Sequence, residues 1–167
     1  MTSREFAIIA HGDQLYGKLP YIIHLDMVAY ITKTITQEPE AFDVAYLHDI
    51  NDTKVRIEEI RHKFGAVVAD NTVLINDPLG TRKERTRLSY QKFAAASVEQ
   101  YRYALIVKPA DRLANMMFSL WTLNIGKMKM YAKEHNDFYK ATYRPNLCDE
   151  LWEQIDMLRN GPFRQII

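Results

Sequence analysis

Four residues with metal-ligating side chains fall on or beside apolar helical stripes of this chain: His24, His48, Asp49 and Asp111. His24 shares helical spacing with Val28, Ile31 and Ile35. His48 continues the stripe Ala41, Val44, Ala45. Asp111 lies on the stripe Ala104, Val107, Ala114, Phe118. Residues three, four and seven apart share one face of a helix, so ionisable groups from three separate segments are directed inward. Burying an unpaired carboxylate is very costly, and an unpaired imidazole is costly too. Asp49 is rotated ~100° from His48 around a helix, yet near a helix end both can reach one point. The simplest common partner is a divalent cation held by two imidazoles and two carboxylates. Nitrogen and oxygen sets of this kind suit manganese, iron or zinc better than magnesium or calcium. The plainer reading stays open at each position: a hydrogen-bonded core histidine, or an aspartate that caps a helix or pairs with an arginine. His11 and His62 are left to that reading.

A second cluster is basic. The stretch TRKERTR, Thr81 to Arg87, puts Arg82, Lys83, Arg85 and Arg87 into the first turns of a helix. Positive charge there opposes the helix dipole. A bound anion relieves the conflict, because helix starts and arginines both favour phosphate. A solvated basic face tempered by Glu84 is the alternative.

These residues need elements to hold them, and helical periodicity dominates the chain. Residues 4–16 read as a first helix, ending at Gly17. Pro20 reads as the first helical residue of a second, running to about Gln37. Pro39 opens a third over EAFDVAYLHDI. VRIEEIRHKFG ends at Gly65, which suits a C-terminal cap, and AVVADNTVLIN reads as a helix despite its β-branched residues. NDPLG, Asn76 to Gly80, reads as a turn. Thr81 with Glu84 has capping-box spacing. Ser97 to Gln100 repeats it before a long helix reaching about Thr122, which Pro109 should kink or divide. The last helix starts near Asn146 and ends at Gly161, with Leu147, Leu151, Ile155 and Leu158 on one stripe. No alternating strand stands out. The expectation is an all-α chain, one domain over 1–167, with roughly eight to ten helices.

Composition narrows the classes. The chain has 167 residues, a net charge of +1 and 47% hydrophobic residues. Nothing global points to nucleic acid or a membrane surface, and no apolar run approaches the ~20 residues of a membrane span. Cys148 is the single cysteine, which excludes an intrachain disulfide and fits a reducing cytoplasm. The start MTSREFAIIAHGDQ has neither the basic nor the apolar region of a signal peptide. The oligomeric state is left open.

The segments PYIIHLDMVA, AYLHDINDT and VKPADRLANM, in this order and spacing, resemble the HD-domain phosphohydrolases. More narrowly, they resemble the hydrolase domain of RelA/SpoT-type enzymes and the small stand-alone alarmone hydrolases, whose usual forms are PYxxHxxxVA, LHDxxEDT and VKLADRLxNM. FGAVVADNTVLINDPLGTRKERTRL and the C-terminal MYAKEHNDFYKATYRPNLCDELWEQIDML fit the same pattern. The resemblance implies an all-α HD-type helical bundle with one divalent metal, commonly Mn2+, on His24, His48, Asp49 and Asp111. It implies removal of pyrophosphate from the 3′ position of guanosine tetra- or pentaphosphate. It makes Asn115 a nucleotide contact and Lys83 and Arg85 phosphate contacts; Tyr16 and Lys18 are further substrate-binding candidates of this sequence.

The sequence departs from that pattern in four places. HDINDT is one residue shorter than HDxxEDT, so one of two carboxylates is missing. Either Asn51 replaces the glutamate and Asp52 keeps the aspartate, or, on a regular helix, Asp52 takes the glutamate position and Thr53 that of the aspartate. Asp52 is the expected proton-transfer residue, with Asn51 beside it. Leu15 stands where an arginine often stacks on the base, so Tyr16 is the candidate to stack instead. Phe118 replaces a threonine, and Pro109 a leucine just before Asp111. The reading is a metal-dependent phosphohydrolase acting on a small nucleotide, best an alarmone. The alternatives are a phosphatase on another nucleotide or dinucleotide cofactor, and a weakly catalytic protein that binds and sequesters a nucleotide.

Overall fold

The computed structural model describes residues 1–76 and 80–161. Of the turn expected at Asn76 to Gly80, residues 77–79 lie outside the described residues. Among the described residues the chain forms nine α-helices and one two-stranded hairpin: α1 (Ser3–His11), β1 (Leu15–Tyr16), β2 (Leu19–Pro20), α2 (Ile22–Lys33), α3 (Pro39–Leu47), α4 (Ile57–Phe64), α5 (Ala66–Ile75), α6 (Arg82–Ala95), α7 (Val98–Trp121), α8 (Ile125–Thr142) and α9 (Asp149–Asn160). A short 3-10 turn, Ile50–Asp52, comes after α3. The expected all-α bundle is what forms.

The helix starts reflect local chemistry. Thr2 and Glu5 form a capping box on α1, and Thr81 and Glu84 form another on α6. Each such box satisfies two N–H groups that a helix start otherwise leaves without a partner. Ser97 accepts from the Gln100 N–H at the start of α7, and Pro39 occupies the first turn of α3. The middle of α7 is apolar nearly all round: Ala104, Leu105, Ile106, Val107, Ala110, Leu113 and Ala114 are all buried. That pattern suits a helix enclosed by others. Accordingly α7 packs against α2, α3, α5, α8 and α9. Buried on the same core, α5 is helical despite its valines, because tertiary packing overrides a weak local propensity.

Five expectations are corrected. The first helix stops at His11, since Gly12 turns the chain at φ 52°. The chain then enters the hairpin, in which Leu15 pairs with Pro20 and Tyr16 with Leu19. Pro20 is therefore a strand residue, and strands of two residues are too short to show alternation. The third helix ends at Leu47, not Ile50, with His48 as its cap. The last begins at Asp149, because Asn146 adopts φ 63°.

The fifth concerns the long helix. Its break is at Tyr101 (φ −122°, ψ 28°), not at Pro109. The buried Asn71 side chain from α5 causes it. Its Oδ1 accepts from the Ala104 N–H at 2.8 Å, and its Nδ2 donates to the Gln100 carbonyl at 3.3 Å and to Val67 at 2.9 Å. Ala104 and Gln100 are the pair a regular helix would join. A side chain inserted into that ladder kinks it. Pro109 stays within the helix, and the Leu105 carbonyl that its missing N–H would have met takes the Cys148 thiol instead, at 3.9 Å.

Candidate metal centre

Three elements bring the ligand candidates to one point. His24 lies in the first turn of α2, His48 caps α3, and Asp111 lies in the second half of α7. The chain leaves the α conformation at Asp49 (φ −104°, ψ 15°), which turns its carboxylate towards His48. This excludes the regular-helix alternative for Asn51–Thr53. The two imidazole Nε2 atoms are 3.3 Å apart. Asp49 Oδ2 is 3.4 Å from His24 Nε2 and 3.1 Å from His48 Nε2. Asp111 Oδ1 is 3.3 Å from His24 Nε2 and 3.7 Å from His48 Nε2. Ligands bound ~2.0–2.2 Å from one first-row ion sit roughly 2.9–3.6 Å from each other. His24, His48 and Asp49 thus form a group able to hold a metal ion, and Asp111 adds a fourth donor beside it.

The tautomer fits. His48 Nδ1 donates to the Ala45 carbonyl at 2.8 Å, which leaves the neutral ring's Nε2 lone pair facing the cluster. That lone pair, set in a buried site beside His24 Nε2 and the Asp49 and Asp111 carboxylates, calls for a positive charge among them. Burial lowers the basicity of both histidines, but Asp111 and Asp49 outweigh it and the pKa values rise. For the two aspartates, burial pushes upward, and the His24 and His48 contacts more than reverse it, holding both below the ordinary carboxylate range. Two carboxylates and one divalent ion also balance in charge. The residues present fit such an ion.

Outer partners hold the ligands. Tyr21 donates its hydroxyl to Asp49 Oδ2 at 2.6 Å and stacks on His11, with ring centroids 4.6 Å apart. Lys108 Nζ lies 4.0 Å from Asp111 Oδ2. Neither was singled out from sequence, though each stands three residues before a ligand, one helical turn away. Asn115 donates to Asp111 Oδ1 at 2.5 Å, and Tyr16 donates to Asn115 Oδ1 at 2.9 Å. Burial pushes the Tyr16 and Tyr21 hydroxyls well above their ordinary range, so they remain donors.

The cluster opens into a cavity of about 440 Å³ that Tyr16, Asn51, Asp52, Arg85, Lys108 and Asn115 also line. Two other expected substrate contacts lie elsewhere. Lys83 lines a groove of about 760 Å³ between α6 and α8. Lys18 lines a side cavity of about 670 Å³ with Phe118 and Trp121. Arg82 is bound to Glu134 at 2.9 Å. On the α7–α8 side, Arg85, Lys108, Arg112 and Lys127 line a further cavity of about 270 Å³ that shares Asp111 and Asn115 with the first. No described helix is long and apolar enough to cross a membrane.

No family model matches the chain. Its sequence is similar to guanosine-3′,5′-bis(diphosphate) 3′-pyrophosphohydrolase of Vibrio cholerae, with 34% identity over 125 residues. That match takes in 72% of this chain, which spans 17% of the length of the curated relative. Its fold is similar to a solved structure described as a metazoan ortholog of SpoT that hydrolyzes ppGpp and plays a role in starvation responses. There the TM-score is 0.75 at 21% identity, covering 98% of this chain and 93% of that one. A structure of lmo0812 from Listeria monocytogenes matches with a TM-score of 0.63 at 20% identity, over 83% of this chain and 99% of that one. The resemblance of the motifs to the RelA/SpoT hydrolase domain is borne out by the first of these in sequence, and the solved structures share its fold.

Proposed function

We propose that this chain is a one-domain, metal-dependent phosphohydrolase that removes the 3′-pyrophosphate from a guanosine tetra- or pentaphosphate alarmone. The observation that carries the reading is the convergence of His24, His48, Asp49 and Asp111: the two imidazole Nε2 atoms are 3.3 Å apart, and each carboxylate oxygen lies 3.1 to 3.7 Å from them, in a cavity also lined by Arg85 and Lys108. The names of the relatives support the substrate class: one is a 3′-pyrophosphohydrolase of guanosine-3′,5′-bis(diphosphate), and one is described as hydrolysing ppGpp.

The ion we propose is Mn2+. When bound, it supplies Lewis acidity, polarising a phosphoryl oxygen and making water acidic enough to attack near neutral pH. The chain's own residues do the rest. Arg85 and Lys108 offer cationic hydrogen bonds to phosphate oxygens. Asp52, on the 3-10 turn at the cavity rim, is the carboxylate that orients water and takes up its proton. Asn51 is neutral and cannot act as a base, so it serves as a hydrogen-bonding neighbour. The product is a nucleoside 5′-diphosphate or 5′-triphosphate and free pyrophosphate. The unpaired, buried Cys148 fits a reducing compartment, and we place the enzyme in the cytoplasm.

The test is incubation of the purified chain with manganese and a panel of phosphorylated nucleotides, with products resolved by mass. Pyrophosphate released from guanosine tetraphosphate, and not from its 3′-unphosphorylated counterpart, is the expected result. Orthophosphate released from a dinucleotide cofactor in preference would overturn the substrate assignment and leave the metal centre standing.

A further inference from the structure

The resemblance casts Asn115 as a nucleotide contact, but its amide is engaged within the protein at both ends. Nδ2 donates to Asp111 Oδ1 at 2.5 Å and to the Asp111 carbonyl at 3.1 Å, while Oδ1 accepts from the Tyr16 hydroxyl at 2.9 Å. The orientation is unique. Turning the amide over would set Oδ1 against the Asp111 carboxylate with no proton between them. A neutral phenol beside Oδ1 donates, so Tyr16 locks the amide with its N–H groups facing Asp111.

Tyr16 is itself held on several sides. Its ring centroid lies 4.0 Å from that of Phe118 and 4.7 Å from that of His24, and Tyr21 meets it edge-on at 6.2 Å. It ends β1, where the chain turns through Gly17 at φ 64°. A Cβ on Gly17 would lie 2.9 Å from the Phe118 ring. The hairpin is thus pressed onto α7 one turn beyond Asn115. Phe118, the departure from the family pattern, is what backs the tyrosine.

We propose that Tyr16 and Asn115 are positioning residues: the tyrosine hydroxyl orients the Asn115 amide, and the amide holds Asp111 Oδ1 towards His24 and His48. This rests on the metal-centre reading. It accounts for a hairpin of four paired residues docked beside a ligand cluster drawn from α2, the end of α3 and α7. It also gives Asp111 the kind of outer partner that Tyr21 gives Asp49. Outer-shell partners of this kind are worth about 10- to 100-fold in metal affinity.

The test compares manganese affinity by titration calorimetry, and the melting temperature of the metal-free protein, for wild type, Tyr16→Phe, Asn115→Ala and the double variant. Tyr16→Phe keeps the ring packing and is expected to weaken manganese binding by about 10-fold with the metal-free melting temperature unchanged. Asn115→Ala is expected to lose at least as much, and the double variant no more than Asn115→Ala alone, because the hydroxyl acts only through the amide. Unchanged affinity in Tyr16→Phe, or losses that add in the double variant, would overturn the relay. A lower melting temperature with unchanged affinity would make Tyr16 merely structural. A wild-type protein that takes up no manganese would overturn the metal centre itself, and the relay with it.

Discussion

His48 Nε2 and Asp49 Oδ2 face one point from consecutive positions, 3.1 Å apart. Consecutive residues on a helix diverge by ~100°. They meet because α3 ends at Leu47, so His48 is its cap and Asp49 turns out of the helix. Adjacent donors of two chemistries can then share one ion, provided α2 and α7 bring the other two.

Asp111→Ala is the direct test of that provision. The variant is expected to fall below detectable manganese uptake in equilibrium dialysis and to lose hydrolysis with it. Wild-type uptake in this variant would remove Asp111 from the centre.

Proton handling separates from metal holding at Asp52. Asp52→Asn is expected to lower kcat by roughly 10²- to 10⁴-fold while element analysis still finds one metal per chain. An unaltered kcat would assign the proton route to another group.

Arg85 and Lys83 are two residues apart, yet only Arg85 lines the metal cavity. Arg85→Ala is expected to raise KM by roughly 10-fold with kcat less affected. Lys83→Ala, on the far groove, should change KM by less than about two-fold. Equal effects would show that substrate reaches across α6.

The kink at Tyr101 yields a stability prediction. Asn71→Ala removes the side chain that satisfies the buried Ala104 N–H and the Gln100 carbonyl. Ala104 is fully buried, and at about 1–3 kcal/mol for an unsatisfied buried group the expected loss is roughly 1–3 kcal/mol in a urea titration. A loss below about 0.5 kcal/mol would mean that the helix heals by closing its own ladder.

Cys148 is nearly fully buried, and burial pushes its thiol up to about 12. It is therefore neutral across the working range, and alkylation needs the thiolate. Iodoacetamide at pH 8 is expected to leave the native protein unmodified and to label it fully in denaturant. Rapid labelling of the native protein would place the thiol at the surface, away from the Leu105 carbonyl.

Sequence alone was enough for whatever depends on local spacing. Helical periodicity turned His24 and His48 inward and put Asp111 on an apolar stripe, because a 3.6-residue repeat needs no knowledge of the partner helix. Thr81 and Glu84 marked the start of α6, and Pro39 that of α3, by hydrogen bonds made within one turn. Tertiary structure decided whatever depends on two elements meeting. Leu15–Tyr16 and Leu19–Pro20 are too short to carry a strand pattern and pair only where α7 offers Phe118 to pack on. Pro109 looked like the kink, but Asn71, from another helix, breaks the ladder at Tyr101, and Cys148 meets the carbonyl that the proline leaves. Lys83 and Arg85 look alike in sequence, and which of them faces the cavity depends on how α6 is rotated against its neighbours. A repeat along the chain specifies a face, but packing chooses what that face meets.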